Sequence, residues 1–141
     1  MADPKKILRT FVMCKPDAVE RGLVGEIITR LENKGLRLVR MDLRNLSKRD
    51  AAEHYAEHLG KDFYQELEDY VTRGPVVPMI WEGRDAIAVV RKLVGATDPA
   101  DAAAGTIRGD YAVDYTENLV HASDGEESAQ KEIARFFGPD A

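Results

Sequence analysis

Ile7-Leu8-Arg9-Thr10-Phe11-Val12-Met13-Cys14 is a mostly apolar, partly β-branched run that stops at Lys15-Pro16. A proline cannot continue a ladder and pushes the residue before it away from helix, so the run reads as a buried strand. Outward from it, Leu23, Val24, Ile27, Ile28 and Leu31 form one apolar stripe at helical spacing, and Gly35 stands where helices close. Leu36 to Leu46 alternates as Leu36, Leu38, then Met41, Leu43, which predicts a long strand with one bulge or kink.

Ser47 with Asp50 three residues on marks a helix start, followed by Ala51, Ala52, Tyr55 and Ala56. A second helical stretch carries Phe63, Leu67, Tyr70 and Val71 and breaks at Gly74-Pro75. Val76 to Trp81 has strand character, and Pro78 inside it predicts an edge position or a bulge. Ala86, Ile87, Val89, Val90, Leu93 and Val94 make another amphipathic helix, ended by Gly95. Ala96 to Glu117 reads as a long irregular loop, of the kind that usually carries function. Leu119 to His121 is a short strand, and Ser123 with Glu126 predicts a capping box for a last helix bearing Ala129, Ile133, Phe136 and Phe137. The order β α β α α β α (loop) β α predicts about four strands packed on helices, without choosing parallel from antiparallel.

The chain has 141 residues, 44% hydrophobic and 32% charged, a length that suits one domain able to bury its core without disulfides or metals. Its one cysteine, Cys14, can form neither an internal disulfide nor a cysteine-based zinc site. No apolar run approaches the roughly 18 residues of a membrane span, and Met1 to Lys6 is too polar to open a signal peptide. A cytoplasmic location is the expectation. The net charge of −5 argues against a polynucleotide partner, though a few converging cations still suit a small anion.

Three histidines stand out. His54-Tyr55-Ala56-Glu57-His58 matches the H-x-x-E-H pattern of one class of zinc peptidases, a spacing that on a helix puts both imidazoles on one face. The plainer reading makes them polar positions on the solvated face of a helix. His121 ends a strand just before a helix start, where backbone N–H groups attract an anion and a histidine is placed to exchange a phosphoryl group. Asn118 adds an uncharged amide, and Glu132 on the last helix is placed to hold one ring nitrogen and leave the other free. Arg91, Thr97 and Arg108 flank the long loop, with Lys15 at the end of the first strand; as a set they suggest a phosphate pocket. Neither a Walker A pattern nor G-x-G-x-x-G is present.

In order and spacing, several segments together resemble the nucleoside diphosphate kinase family. They are Thr10 to Asp17, Arg21 to Ile27, His54-Tyr55, Arg73 to Val77, Gly95 to Pro99, Gly105 to Asp110, Asn118 to Asp124 and Glu127 to Ile133. The resemblance covers about residues 8–137 of a single domain taken as 1–141. It implies an α+β, ferredoxin-like fold with a four-stranded antiparallel sheet covered by helices. It also implies ping-pong transfer of the γ-phosphate of ATP to nucleoside diphosphates through a phosphohistidine on His121. Glu132 would orient that ring and Lys15 would join it in catalysis. Lys15, Tyr55, Arg91, Thr97, Arg108 and Asn118 match phosphate and ribose contacts, and Phe63 matches the residue that stacks on the base. Mg²⁺ would be held through phosphates and water, with Asp124 nearby rather than as a direct ligand. A homo-oligomer is implied, hexamer before tetramer. The chain departs from the family pattern at Pro78, Ala104, Tyr115-Thr116-Glu117, Ala122 and Gly125. Two other readings compete: a zinc-dependent hydrolase at His54, Glu57 and His58, and a non-catalytic ferredoxin-like binding module.

Overall fold

In the computed structural model, which describes residues 6–141, β1 (Ile7–Cys14) is an interior strand of a four-stranded sheet ordered β2-β3-β1-β4. The polar opening of residues 1–5 lies outside the described residues. β1 pairs antiparallel along its whole length with β3 (Val77–Arg84) and, at its C-terminal end, with β4 (Val120–Ala122). β2 (Arg37–Met41) pairs antiparallel with β3. All three pairings are antiparallel, as the resemblance implied, and β3 lies between β1 and β2 in the split βαβ arrangement of the ferredoxin-like class.

Both faces of the sheet are covered, so β1 is apolar on both. Val12 and Cys14 face a core closed by α1 (Pro16–Glu20), α2 (Val24–Asn33), α5 (Ala86–Val94) and α6 (Ile107–Tyr111). Phe11 and Met13 face a second core under α3 (Lys48–His54), α4 (Tyr64–Thr72) and α7 (Glu126–Phe137). Trp81, Ile27, Leu31 and Ile107 are fully buried on the first face, Phe11, Ile80 and Val71 on the second; each is worth about 1.5–3 kcal/mol removed from water.

Local signals located several elements. Ser47 and Asp50 form the reciprocal capping box of α3. Gly35, just past α2, adopts φ 99°, and the register of β2 slips between Leu38 and Arg40 as the broken alternation predicted. Pro78 does not sit on an edge. It lies in interior β3 opposite Met13, with its missing N–H turned toward β2. Asp42 N–H donates to the Pro78 carbonyl, but proline returns no bond, so the long strand expected to Leu46 stops at Met41 and resumes only as a bridge between Arg44 and Val76. The first strand ends before Lys15-Pro16 as expected, and Pro16 takes the first turn of α1, a helix the sequence reading did not include, where its absent N–H costs nothing. Two other readings are corrected. The loop from Ala96 to Glu117 contains α6, capped by the Thr106 hydroxyl. α7 begins after Gly125 and is capped by Ser128, whose hydroxyl accepts from the N–H groups of Asp124 and Gly125, so Ser123 is free for another role.

Candidate active site

The pleat of β4 sends Val120 and Ala122 into the first core and His121 to the opposite face, 5.9 Å from the Phe11 ring by centroids. The Nε2 of His121 lies 2.9 Å from Oε1 of Glu132 on α7, and the same oxygen accepts a hydrogen bond from the Ser123 hydroxyl. A carboxylate only accepts, so Nε2 carries the ring proton. Nδ1 has no hydrogen bond to any described residue, which leaves its lone pair free.

A cleft of about 580 Å³ opens beside this ring. Lys15, Tyr55, Arg91, Thr97, Arg108, Asn118, His121, Asp124 and Glu132 all line it, so residues scattered over most of the chain converge. The end of β1 supplies Lys15, whose Nζ donates to Oδ1 of Asn118 at 3.0 Å. Asn118 is held in turn by the Thr97 and Tyr115 carbonyls. Arg108, buried on α6, donates to the carbonyls of Gly95 (3.0 Å) and Val120 (2.6 Å), and Arg91 to that of Ala122 (3.1 Å). Gly95 has to be glycine here: its φ is 92°, and a Cβ would meet the Thr106 hydroxyl at 2.5 Å. The Tyr55 hydroxyl is buried without a partner among the described residues, a polar group left for something that enters the cleft.

Burial pushes the Lys15 ammonium down to about 8, with the nearby Arg108 charge adding to the effect and Asp17 opposing it. Burial, then Arg91, lowers Arg108 to about 10. Cations held at this cost are poised to take up anionic charge. Above about pH 8 the empty site should lose the Lys15 charge, so affinity for a phosphate-bearing anion should fall between pH 7 and 9.5, as followed by calorimetry. Lys15→Arg should flatten that profile; a flat profile in the parent would contradict the placement of Lys15. The linkage sign is the opposite for folding. The folded pKa lies below the ordinary 10.5, so the unfolded chain binds more protons from pH 8 to 10.5 and stability rises across that window.

Phe63 does not line the cleft. It stands outside the wall, 48% exposed, with its ring 5.3 Å from that of His58, which does line it. The paired-histidine reading fails on backbone geometry. α3 ends at His54, Tyr55 leaves helical conformation (φ −108°, ψ 32°), and a single 3₁₀ turn covers Ala56–His58, so the two rings do not share a helical face. Among the described residues no group of three or more His, Cys, Asp or Glu could hold a metal ion. Nor is His54 on a solvated face: its ring meets that of His121 edge-on at 4.7 Å, and burial holds its pKa well below the usual value. Ser123 was the other residue missed, because the S-x-x-E spacing that mimics a cap conceals its bond to Glu132. Ala122 and Gly125 strain no backbone, since Ala122 is not at positive φ and Gly125 is extended at φ −172°.

A family model for nucleoside diphosphate kinase matches residues 8–141. The chain belongs to the nucleoside diphosphate kinase family. A nucleoside diphosphate kinase of Archaeoglobus fulgidus is 58% identical over 132 residues, covering 94% of this chain and 87% of the relative. Among solved structures, a halophilic nucleoside diphosphate kinase from Halobacterium salinarum in complex with CDP superposes with a TM-score of 0.92 at 52% identity, over 96% of this chain and 90% of that one. The apo enzyme from Encephalitozoon cuniculi gives 0.91 at 42% identity, over 94% and 90%. These similarities favour neither the zinc hydrolase nor the binding-module reading. No helix of the kinase among the described residues is long and apolar enough to cross a membrane.

Proposed function

We propose that this nucleoside diphosphate kinase works through a phosphoryl group carried on Nδ1 of His121. The observation that supports this most directly is the oriented ring: Nε2 is tied to Glu132 while Nδ1 is free beside a cleft of buried cations. Nδ1 attacks the γ-phosphorus of ATP, the bond from that phosphorus to the β,γ-bridging oxygen breaks, and ADP leaves. Nε2 keeps its proton, so the ring becomes cationic and Glu132 offsets the new charge. A second nucleoside diphosphate then attacks the phosphorus with a terminal oxygen and the P–N bond breaks, restoring neutral His121.

Lys15, Arg91, Arg108 and Asn118 neutralise and orient the phosphates, which is where most catalysis of phosphoryl transfer lies. Tyr55 and Thr97 offer hydroxyls to the phosphates and the ribose. Phe63, exposed beside His58 outside the cleft wall, offers a face to the base, and stacking tolerates any base. Mg²⁺ would be held through the phosphates and water, with Asp124 of the cleft wall beside it, and the ion would supply charge neutralisation on the phosphate oxygens. The reading takes the whole chain as one domain acting in the cytoplasm as a homo-oligomer, hexamer before tetramer, with no nucleic-acid or membrane partner. Initial rates with ATP and a varied diphosphate test it. Parallel double-reciprocal lines are expected; lines that intersect would require both nucleotides bound together and would contradict a phosphoenzyme.

A further inference from the structure

Leu119 is fully buried yet adopts φ 77°, a conformation that a γ-branched residue keeps only when its surroundings force it. Val120 N–H donates to the Asn118 carbonyl at 2.9 Å, so Asn118-Leu119-Val120 is a γ-turn with positive φ at its centre, the rare and strained kind. The turn lies between Asn118, which grips Lys15, and His121. Something must hold it there.

Two groups from the junction of β1 and α1 do so. Lys15 N–H donates to the Leu119 carbonyl at 2.8 Å, and Oδ2 of Asp17 accepts from Leu119 N–H at 3.0 Å. The other oxygen of Asp17 accepts from the Tyr70 hydroxyl of α4, and the Lys15 ammonium lies 5.8 Å above the Tyr70 ring. The contacts close a circuit: Lys15 to Asn118, along the chain to Leu119, to Asp17, to Tyr70 and back to Lys15. Asp17 and Tyr70 are buried and do not line the cleft, so neither touches a substrate there.

We infer that Asp17 and Tyr70 are positioning residues, which hold the strained Asn118-Leu119-Val120 turn so that Lys15, Asn118 and Arg108, anchored on the Asn118 and Val120 carbonyls, meet the nucleotide phosphates in one geometry. The inference rests on the proposed role of His121 and adds to it. A buried carboxylate suits the task, because its two oxygens take one donor each from two separate elements, Leu119 N–H before β4 and the Tyr70 hydroxyl of α4. His121 is oriented separately, by Glu132 and Ser123.

That separation supplies the test. The full-length protein and its Asp17→Asn and Tyr70→Phe variants are compared in two reactions. One is transfer from ATP to a diphosphate, which uses the phosphate-holding groups. The other is labelling of His121 by phosphoramidate, a small donor that needs the ring and Glu132 but no nucleotide. Asp17→Asn should lower kcat/KM for nucleotide transfer about 10- to 100-fold, the range expected for loss of one hydrogen bond to a charged group, and leave the phosphoramidate rate within about twofold. Tyr70→Phe keeps the ring beneath Lys15 and the Asp17–Leu119 bond, so it serves if Asp17→Asn folds poorly; it should show the same split at smaller size. Unchanged nucleotide kinetics in a folded variant would overturn the inference, as would equal losses in both reactions. A parent protein that takes no label from either donor would overturn the reading of His121 and this inference with it, whereas a labelled parent with either failing pattern in the variants overturns the inference alone.

Discussion

His121→Ala is expected to lower phosphoryl transfer between nucleotides by at least about 10⁴-fold while leaving the fold intact, because removal of a nucleophile eliminates the covalent route rather than weakening a contact. The fold should tolerate the change. His121 is a quarter exposed, it sits at the sheet's edge strand, and its one side-chain hydrogen bond among the described residues is to Glu132, which keeps the Ser123 hydroxyl as a partner. Circular dichroism and thermal melting check the fold, and coupled-enzyme rates check the activity. Nucleotide binding by equilibrium dialysis should change little, since the cations proposed to meet the phosphates are elsewhere on the wall. Turnover within about tenfold of the parent would refute the nucleophile.

Arg108→Ala carries the second large effect, a loss of about 10²- to 10³-fold in kcat/KM, comparable to removing one preorganised donor from a transition-state site. Arg108 does two things at once. Its guanidinium faces the cleft, and it ties the ends of α5, α6 and β4 together through the Gly95 and Val120 carbonyls. Truncation therefore also deprives the buried Val120 carbonyl of this donor, at a cost of about 1–3 kcal/mol in stability. Lys48→Ala, an exposed lysine in the first turn of α3, is the comparison and should leave both rate and stability near the parent's. Equal kinetic losses in the two variants would mean that the phosphate pocket lies elsewhere.

What could be read from the residues follows the range of the interactions involved. The strand at Ile7–Cys14, the α3 capping box and the Gly35 stop depend on neighbours within a few positions, and the chain states them locally. Strand order depends on pairings such as Met13 with His121, separated by more than a hundred residues, and only the family resemblance supplied it. The same range limits the site. His121 with Glu132 was legible because they are eleven residues apart on adjoining elements, whereas the bond from Lys15 to Asn118 spans 103 positions. Pro78 misled because a proline is tolerated in an interior strand where the neighbouring ladder lapses. Ser123 misled because its spacing to Glu126 fits a cap, while Glu132, nearly two helical turns farther on, is the partner it takes. His54 was misassigned because the expected helix ends at that residue, and its ring turns under His121 instead of toward water.

The most direct measurement is to mix the protein with γ-labelled ATP and Mg²⁺, remove the nucleotide, and find what the protein carries. Acid-labile, base-stable phosphate on Nδ1 of His121, discharged by added GDP, CDP or UDP, is the predicted result. A folded protein that binds nucleotide but carries no label, or that carries it on another residue, would contradict the phosphohistidine on His121.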